Sequence, residues 1–222
     1  GTLSTSKDEI NGTANVFQSY VQWKYRMTEN FTLNSGLHFL HFGKTNSSAI
    51  EPRLGLNYKL NNVHSFSFGT GLLSRAEQLP LYLTKDATNT NFLNTNLKLS
   101  KALHYVLGYN WRINKNTRFK AEAYYQHLFD IPVDNSGQTG YTAINAQSSD
   151  IFEITGTPLT NDGKGRNYGL EFTLERFLNK GFYYLSTLSL YDSKYKVGNG
   201  NYLNTRFNGN YAFNLLSGKD FA

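Results

Sequence analysis

The stretch Leu103-His-Tyr-Val-Leu-Gly-Tyr-Asn-Trp-Arg-Ile113 carries an apolar or aromatic residue at every odd position. Its even positions include the small or polar residues His104, Gly108, Asn110 and Arg112. Successive side chains of a β-strand point to opposite faces, so this period of two predicts a strand with one apolar face. Its length fits the roughly 9–11 residues that a tilted strand needs to cross a bilayer.

The same alternation recurs along the chain and predicts nine strands, over residues 14–27, 31–39, 51–60, 63–74, 103–113, 119–129, 168–175, 182–192 and 202–214. The connections after the first, third, fifth and seventh strands hold about two to four residues, and the others hold from about eight to above thirty. Outer-membrane β-barrels sort their connections in this way, with short periplasmic turns and long extracellular loops.

The end of the chain indicates an incomplete barrel. Residues 215–220 fit one more short turn, and residues 221–222 would open a tenth strand. A membrane barrel must close, and bacterial single-chain barrels have even strand numbers. We therefore expect an all-β chain whose residues 1–222 form part of one antiparallel transmembrane β-barrel, contributing about nine to ten strands.

Aromatic residues gather beside the predicted short turns. Amphipathic rings at one height form the girdle of a membrane barrel at the lipid–water interface. We expect that girdle to include Trp23, Tyr25, Tyr58, Tyr109 and Trp111.

Composition agrees with a barrel wall. Hydrophobic residues make up only 39% of the chain while aromatic residues reach 15%, which fits one apolar face with girdles better than an aliphatic core. The 22 Lys and Arg residues are scattered, so the net charge of +6 does not indicate a nucleic-acid partner. The absence of cysteine excludes disulfides and thiolate metal sites.

Four stretches carry a resemblance to a known family. Asn96-Leu-Lys-Leu-Ser-Lys-Ala-Leu-His-Tyr-Val-Leu-Gly-Tyr-Asn-Trp-Arg112 contains a Tyr-x-Leu-Gly-Tyr strand, and residues 119–129 contain Ala-x-Ala-Tyr-Tyr. Residues 161–171 end in Gly-x-x-Tyr-Gly-Leu-Glu, and residues 207–219 form a late strand rich in Asn and aromatic residues. In this order they resemble the C-terminal barrel of TonB-dependent outer-membrane receptors, especially those of Bacteroidetes.

The resemblance implies a location in the bacterial outer membrane and a barrel of 22 strands with an N-terminal plug. Such a receptor imports a siderophore, cobalamin, a glycan or a peptide with energy passed on by TonB. The implied partners are therefore membrane lipid, the plug, TonB and the solute. We expect the plug and the TonB box to lie outside these residues, and we expect no cofactor.

Metal binding and catalysis find little support. His38 and His41 are three residues apart, so on a strand they face opposite sides and cannot share a metal. Ser65 and Ser67 lie near His64, but neighbouring strand residues diverge and no Gly-x-Ser-x-Gly elbow is present. We expect no metal and no enzyme activity.

Two sets of residues are candidates for function. Charged residues on the polar strand faces should point into the lumen, where they contact the plug, line a solute path or are merely solvated: Arg53, Lys59, Arg112, Lys120, Glu122, Glu171 and Glu175. Predicted loop residues should capture solute, because extracellular loops carry recognition: Arg75, Glu77, Tyr82, Lys85, Asp86, Tyr141, Phe152 and Asp162.

Three alternatives stay open at this point. The same barrel could be a passive porin or a surface adhesin, and an upstream plug and TonB box would exclude both. A soluble β-sandwich or barrel whose aromatics form an inner core is the third, and strands of 11–13 residues with tight turns at one end count against it.

Overall fold

A computed structural model describes residues 13–86, 88, 90–137, 139–146 and 156–220. Within these residues, alternating side chains with high β-propensity form ten strands, and a short helix, α1, begins beside Pro80 in the first long loop. The elements are β1 Val16–Arg26, β2 Phe31–Phe42, β3 Ser47–Lys59, β4 His64–Arg75, α1 Leu79–Tyr82, β5 Ser100–Arg112, β6 Thr117–Val133, β7 Thr160–Asn179, β8 Phe182–Lys196, β9 Leu203–Asn204 and β10 Tyr211–Lys219.

The strands form one antiparallel sheet in the order β1-β2-β3-β4-β5-β6-β7-β8-β10, and the two-residue β9 also pairs with β8. Each strand pairs with its neighbour in sequence, as in an up-and-down barrel wall. Within the described residues β1 and β10 do not pair with each other, so the sheet is an open segment.

The register preserves the alternation from strand to strand. Tyr58, Phe66 and Tyr109 lie side by side on β3, β4 and β5, on what we call the outward face. Lys59, Ser65 and Asn110 lie side by side on the opposite, inward face. Large apolar side chains on the outward face are exposed, as expected of a surface that meets lipid rather than a protein core.

The connections fall into two groups at opposite ends of the sheet. Residues 27–30, 60–63, 113–116 and 180–181 connect strands at one end. The other end carries residues 43–46, 76–99, 134–159 and 197–210, and we call it the long-loop end. The prediction that every connection at this end holds at least about eight residues is wrong for the first one, because β2 reaches Phe42, β3 begins at Ser47, and only residues 43–46 lie between them.

The predicted ninth strand over residues 202–214 is confirmed only near its two ends, in β9 and in the first residues of β10, and is wrong between them. The chain turns after β9, with left-handed backbone at Asn210 (φ 64°), and the long strand is β10. Leu215 to Lys219, read as a turn, instead pair with Ser186 to Phe182 of β8.

A compact core lies at the long-loop end. The described parts of two loops, residues 76–99 and 134–159, pack onto the inward side chains of β2 and β3. The buried residues of this core are Leu40, Phe42, Ala49, Leu81, Tyr82, Leu97, Leu99, Ile131, Tyr141, Ala143 and Leu159. These parts of the loops are therefore folded against the wall. None of the described helices has the length and apolar character needed to cross a membrane.

Candidate functional site

A cleft of about 350 Å³ opens where three long connections meet. Arg75 and Glu77 come from the end of β4 and the loop after it, Tyr141 from the second long loop, and Phe207 from the segment before β10. Concave sites that combine apolar walls with a few polar groups are typical ligand pockets. The cleft unites three of the predicted capture residues with one that sequence reasoning missed, Phe207.

Arg75 and Glu77 form the polar side of this cleft. The Arg75 guanidinium lies 3.3 Å from the Glu77 carboxylate, and the Ser100 hydroxyl donates a hydrogen bond to the same carboxylate. The Arg75 side chain keeps 65% of its surface exposed, whereas that of Glu77 keeps 9%. The buried Glu77 carboxylate therefore forms the floor of the cleft, and the exposed Arg75 guanidinium is accessible to a ligand that binds there.

Tyr82 is not a capture residue in this arrangement. Its side chain is 0% exposed, and its hydroxyl accepts a hydrogen bond of 2.9 Å from the Glu77 backbone N–H. Burial raises the pKa of the Tyr82 phenol to about 12. The residue supports the loop that forms the cleft.

The remaining capture candidates lie apart from the cleft. The carboxylate of Asp86 accepts hydrogen bonds from the Thr90 backbone N–H, the Asn91 amide and the Thr88 hydroxyl, which hold its pKa well below the usual range. Lys85 lies over the Phe92 ring, 5.5 Å from its centroid. Both residues thus stabilise their own loop.

Two further candidates have different outcomes. Asp162 lies within β7 rather than in a loop, where its carboxylate is 3.4 Å from the Asn135 amide. Phe152 falls outside the described residues.

A second concavity, a groove of about 490 Å³, lies on the inward face and is lined in part by Glu122, Tyr124, Glu171 and Tyr191. Glu122 and Glu171 stand opposite each other on β6 and β7. The Lys120 ammonium lies 2.5 Å from the Glu122 carboxylate. Phe207 lines this groove as well as the loop cleft, so the two concavities are adjacent.

The register brings all seven predicted lumen residues to the inward face: Arg53, Lys59, Arg112, Lys120, Glu122, Glu171 and Glu175. Glu175 of this set forms an ion pair with a neighbouring residue, because the Arg118 guanidinium lies 2.6 Å from its carboxylate. Contact of these residues with a plug or a solute stays a prediction.

The five predicted girdle residues, Trp23, Tyr25, Tyr58, Tyr109 and Trp111, all lie on the outward face. Trp23 and Tyr25 stack with ring centroids 5.3 Å apart, and the Tyr109 hydroxyl lies 2.8 Å from His64 Nδ1. Whether these rings sit at a lipid interface stays a prediction.

Sequence reasoning missed a buried carboxylate beside the loops. Glu51 is 1% exposed on the inward face of β3. One of its oxygens lies 2.9 Å from His38 Nδ1 and 3.0 Å from the Arg53 guanidinium, and the other accepts a bond of 2.8 Å from the Ser74 backbone N–H. A charge buried this far is retained only when its oxygens are paired, and here three strands supply the partners.

The described residues contain no group of three or more His, Cys, Asp or Glu side chains arranged to hold a metal ion. The arrangement as a whole is a wall segment with a loop cleft at one end, a polar groove on one face and an apolar band on the other.

A family profile described as TonB dependent receptor-like, beta-barrel matches residues 2–220. No curated protein matches the chain in sequence.

Similar solved structures include the FrpB iron transporter from Neisseria meningitidis, in its F5-1 variant apoprotein form, with TM-score 0.64, 18% identity, and coverage of 92% of this chain and 30% of that one. The ferripyoverdine receptor of the Pseudomonas aeruginosa outer membrane, bound to ferripyoverdine, gives TM-score 0.66, 12% identity and coverage of 94% and 26%. The ferric-catecholate import receptor Fiu from E. coli K12 gives TM-score 0.65, 14% identity, and coverage of 92% of this chain and 32% of that one. The chain thus spans less than a third of the length of each.

Proposed function

Because the chain belongs to the family of TonB-dependent receptor β-barrels, we propose that it forms about ten strands of barrel wall, with their loops, in a receptor that imports a solute. The family consists of outer-membrane receptors and transporters, so the chain is a segment of an outer-membrane barrel. With the long loops outside and the short turns in the periplasm, the cleft faces the medium.

The adjacency of the cleft and the groove carries this proposal. Phe207 borders both the extracellular cleft and the inward groove. A solute held by the loops would leave the cleft directly beside the lumen wall. Binding residues on loops that a rigid sheet positions are a general arrangement for recognition.

The ligand we propose is a negatively charged iron chelate of the siderophore type. The exposed Arg75 guanidinium supplies a planar set of donors for carboxylate or phenolate oxygens. Phe207 and Tyr141 add aromatic surface for an organic scaffold. Several structures of similar fold are of iron or siderophore receptors, which supports this class above cobalamin, glycans or peptides.

The proposed partners are a plug domain within the lumen and TonB beneath it. The inward face carries charges of both signs with which a plug could form ion pairs. Arg53, Arg112 and Lys120 are cationic, and Glu122 and Glu171 are anionic. A plugged receptor takes up solute only when energised, whereas a passive porin or an adhesin has no such requirement.

The experiment uses the full-length protein and a panel of ferric siderophores. We expect Phe207→Ala and Arg75→Gln each to weaken binding of an anionic chelate by about tenfold, since each removes one contact worth about 1.4 kcal/mol. Phe213→Ala is the matched control, because Phe213 is an exposed phenylalanine on the outward face of β10. Binding that survives both cleft variants, or uptake that needs no energy, would contradict the proposal.

A further inference from the structure

A cluster of basic side chains lies on the outward face near the long-loop end. His127, Arg166 and Lys194 occupy one register row across β6, β7 and β8. One pair further along, Lys164 of β7 lies opposite Lys196 of β8. We call these five residues the outward basic patch.

The patch begins where the apolar band of the wall ends. In the preceding outward row Tyr105, Tyr125 and Tyr168 lie side by side on β5, β6 and β7, each about 40% exposed. Tyrosines of a barrel surface mark the depth at which hydrocarbon gives way to headgroups. The side chains one row further out therefore stand at headgroup level.

Little negative charge from the described residues offsets the patch. Asp192 lies 3.2 Å from the Lys194 ammonium and also accepts a bond of 2.7 Å from the Tyr168 hydroxyl. Among the described residues, no carboxylate lies within salt-bridge distance of Arg166, Lys164 or Lys196.

Arg166 is held in place without being neutralised. Its guanidinium lies over the Tyr202 ring, 4.2 Å from the centroid, and the Lys196 ammonium lies over the same ring, 5.4 Å from the centroid. Arg166 Nε is buried and has no hydrogen-bond partner. Stacking on an aromatic face orients a guanidinium while its remaining N–H groups stay available for an anion.

The patch is local and does not encircle the wall. At the same end, the outward positions of β2, β3 and β4 are Phe39, Ile50 and Leu72, followed by His41, Ser48 and Ser74. A general girdle of positive charge would continue across these strands. The outward cation of the intervening strand, Lys101 of β5, lies 2.9 Å from the Asp130 carboxylate, which offsets its charge. Concentration of the remaining cations on β6, β7 and β8 indicates a site.

We propose that the outward basic patch binds the phosphate-bearing headgroup of a lipid in the outer leaflet. The acyl chains pack on the apolar band beside Tyr125 and Tyr168, and the phosphate oxygens accept hydrogen bonds from Arg166 and the neighbouring lysines. The chemistry follows from charge complementarity at the edge of the lipid-facing surface. It rests on the outer-membrane location and is independent of the imported solute.

The test measures the affinity of the full-length protein, in neutral detergent, for fluorescent phosphatidic acid. Each cation near an anionic lipid surface contributes about fivefold in affinity, so Arg166→Gln should weaken binding about fivefold and Arg166→Gln with Lys194→Gln further. Lys196→Gln gives an independent variant at a more peripheral position. Lys24→Gln, on the inward face of β1, is the matched control that removes the same charge.

The outcomes separate the proposal from its competitors. It is upheld when the patch variants lose affinity for phosphatidic acid and keep their affinity for phosphatidylcholine, while the Lys24 variant matches the parent. Equal binding by all proteins overturns it, as does an equal loss in the Lys24 variant, which would indicate a general charge effect. Inorganic phosphate that binds as tightly as the lipid would also overturn the assignment to a lipid.

Discussion

The ring of Tyr82, at the end of α1, packs on the ring of Phe42, at the end of β2, with 5.1 Å between centroids and 50° between planes. Phe42 points inward, so this contact anchors the loop of residues 76–99 to the inner side of the wall. A loop anchored in this way presents Arg75 and Glu77 in fixed positions, which lowers the entropy lost when a ligand binds.

Tyr82→Ala should release this loop. Removing a fully buried aromatic side chain costs about 3 kcal/mol, and the cost should fall on local rather than global stability because the strands keep their pairing. Hydrogen exchange of residues 76–99 measures it. Tyr82→Phe is the control: it keeps the ring, so most of the protection should remain, and equal loss in both variants would contradict a packing role.

Glu51→Ala should destabilise the wall itself. The substitution leaves His38, Arg53 and the Ser74 N–H without their shared acceptor, and breaking such a buried charge network costs about 3 kcal/mol. Urea-induced unfolding from lipid vesicles measures this. Glu175→Ala is the control, because it removes a more exposed carboxylate, paired with Arg118. We expect it to lower the free energy of unfolding by about 0–1 kcal/mol. A larger loss for Glu175→Ala than for Glu51→Ala would be inconsistent with this account.

Asp134 should make the second long loop sensitive to acid. Burial by itself raises the pKa of its carboxyl group, but hydrogen bonds from Ser136 and Thr139 outweigh burial and hold the pKa well below the usual range. The stabilisation is therefore present above the unfolded value of about pH 4 and is lost as the pH falls toward the native pKa.

Proteolysis of residues 134–146 across a range of pH measures this loss. Asp134→Asn should loosen the loop at neutral pH and flatten its acid dependence, because the amide cannot titrate. An acid transition that stays unchanged in the variant would assign the effect to another group.

The strands were predictable because their signal is local. Alternation over 103–113 predicts β5 to within three residues of Ser100–Arg112, and the hairpin pattern predicts its pairing with β6. The family resemblance is confirmed as well, while its Bacteroidetes subgroup stays a prediction. Near the end, the alternation of Leu203, Phe207 and Tyr211 predicts one continuous strand, but pairing with β8 is interrupted between β9 and β10, where Phe207 lies.

The site was less predictable because burial of its residues depends on distant segments. Glu51 resembles any lumen carboxylate in sequence, and its burial comes from partners on β2 and β4 that no local pattern reveals. Tyr82 looks like an exposed loop tyrosine until the loop folds onto Phe42. Phe207 meets Arg75 only through three loops brought together by the order of the strands.

Spin labelling tests the central claim, that one face of this sheet meets lipid and the other a lumen. The chain has no cysteine, so single cysteines at residues 104, 105, 106 and 107 of β5 can be labelled one at a time in the full-length protein within a bilayer. We predict that labels at 105 and 107 collide with lipid-dissolved oxygen, and that labels at 104 and 106 are shielded from lipid. Four labels with equal accessibility, or the reverse alternation, would contradict the account.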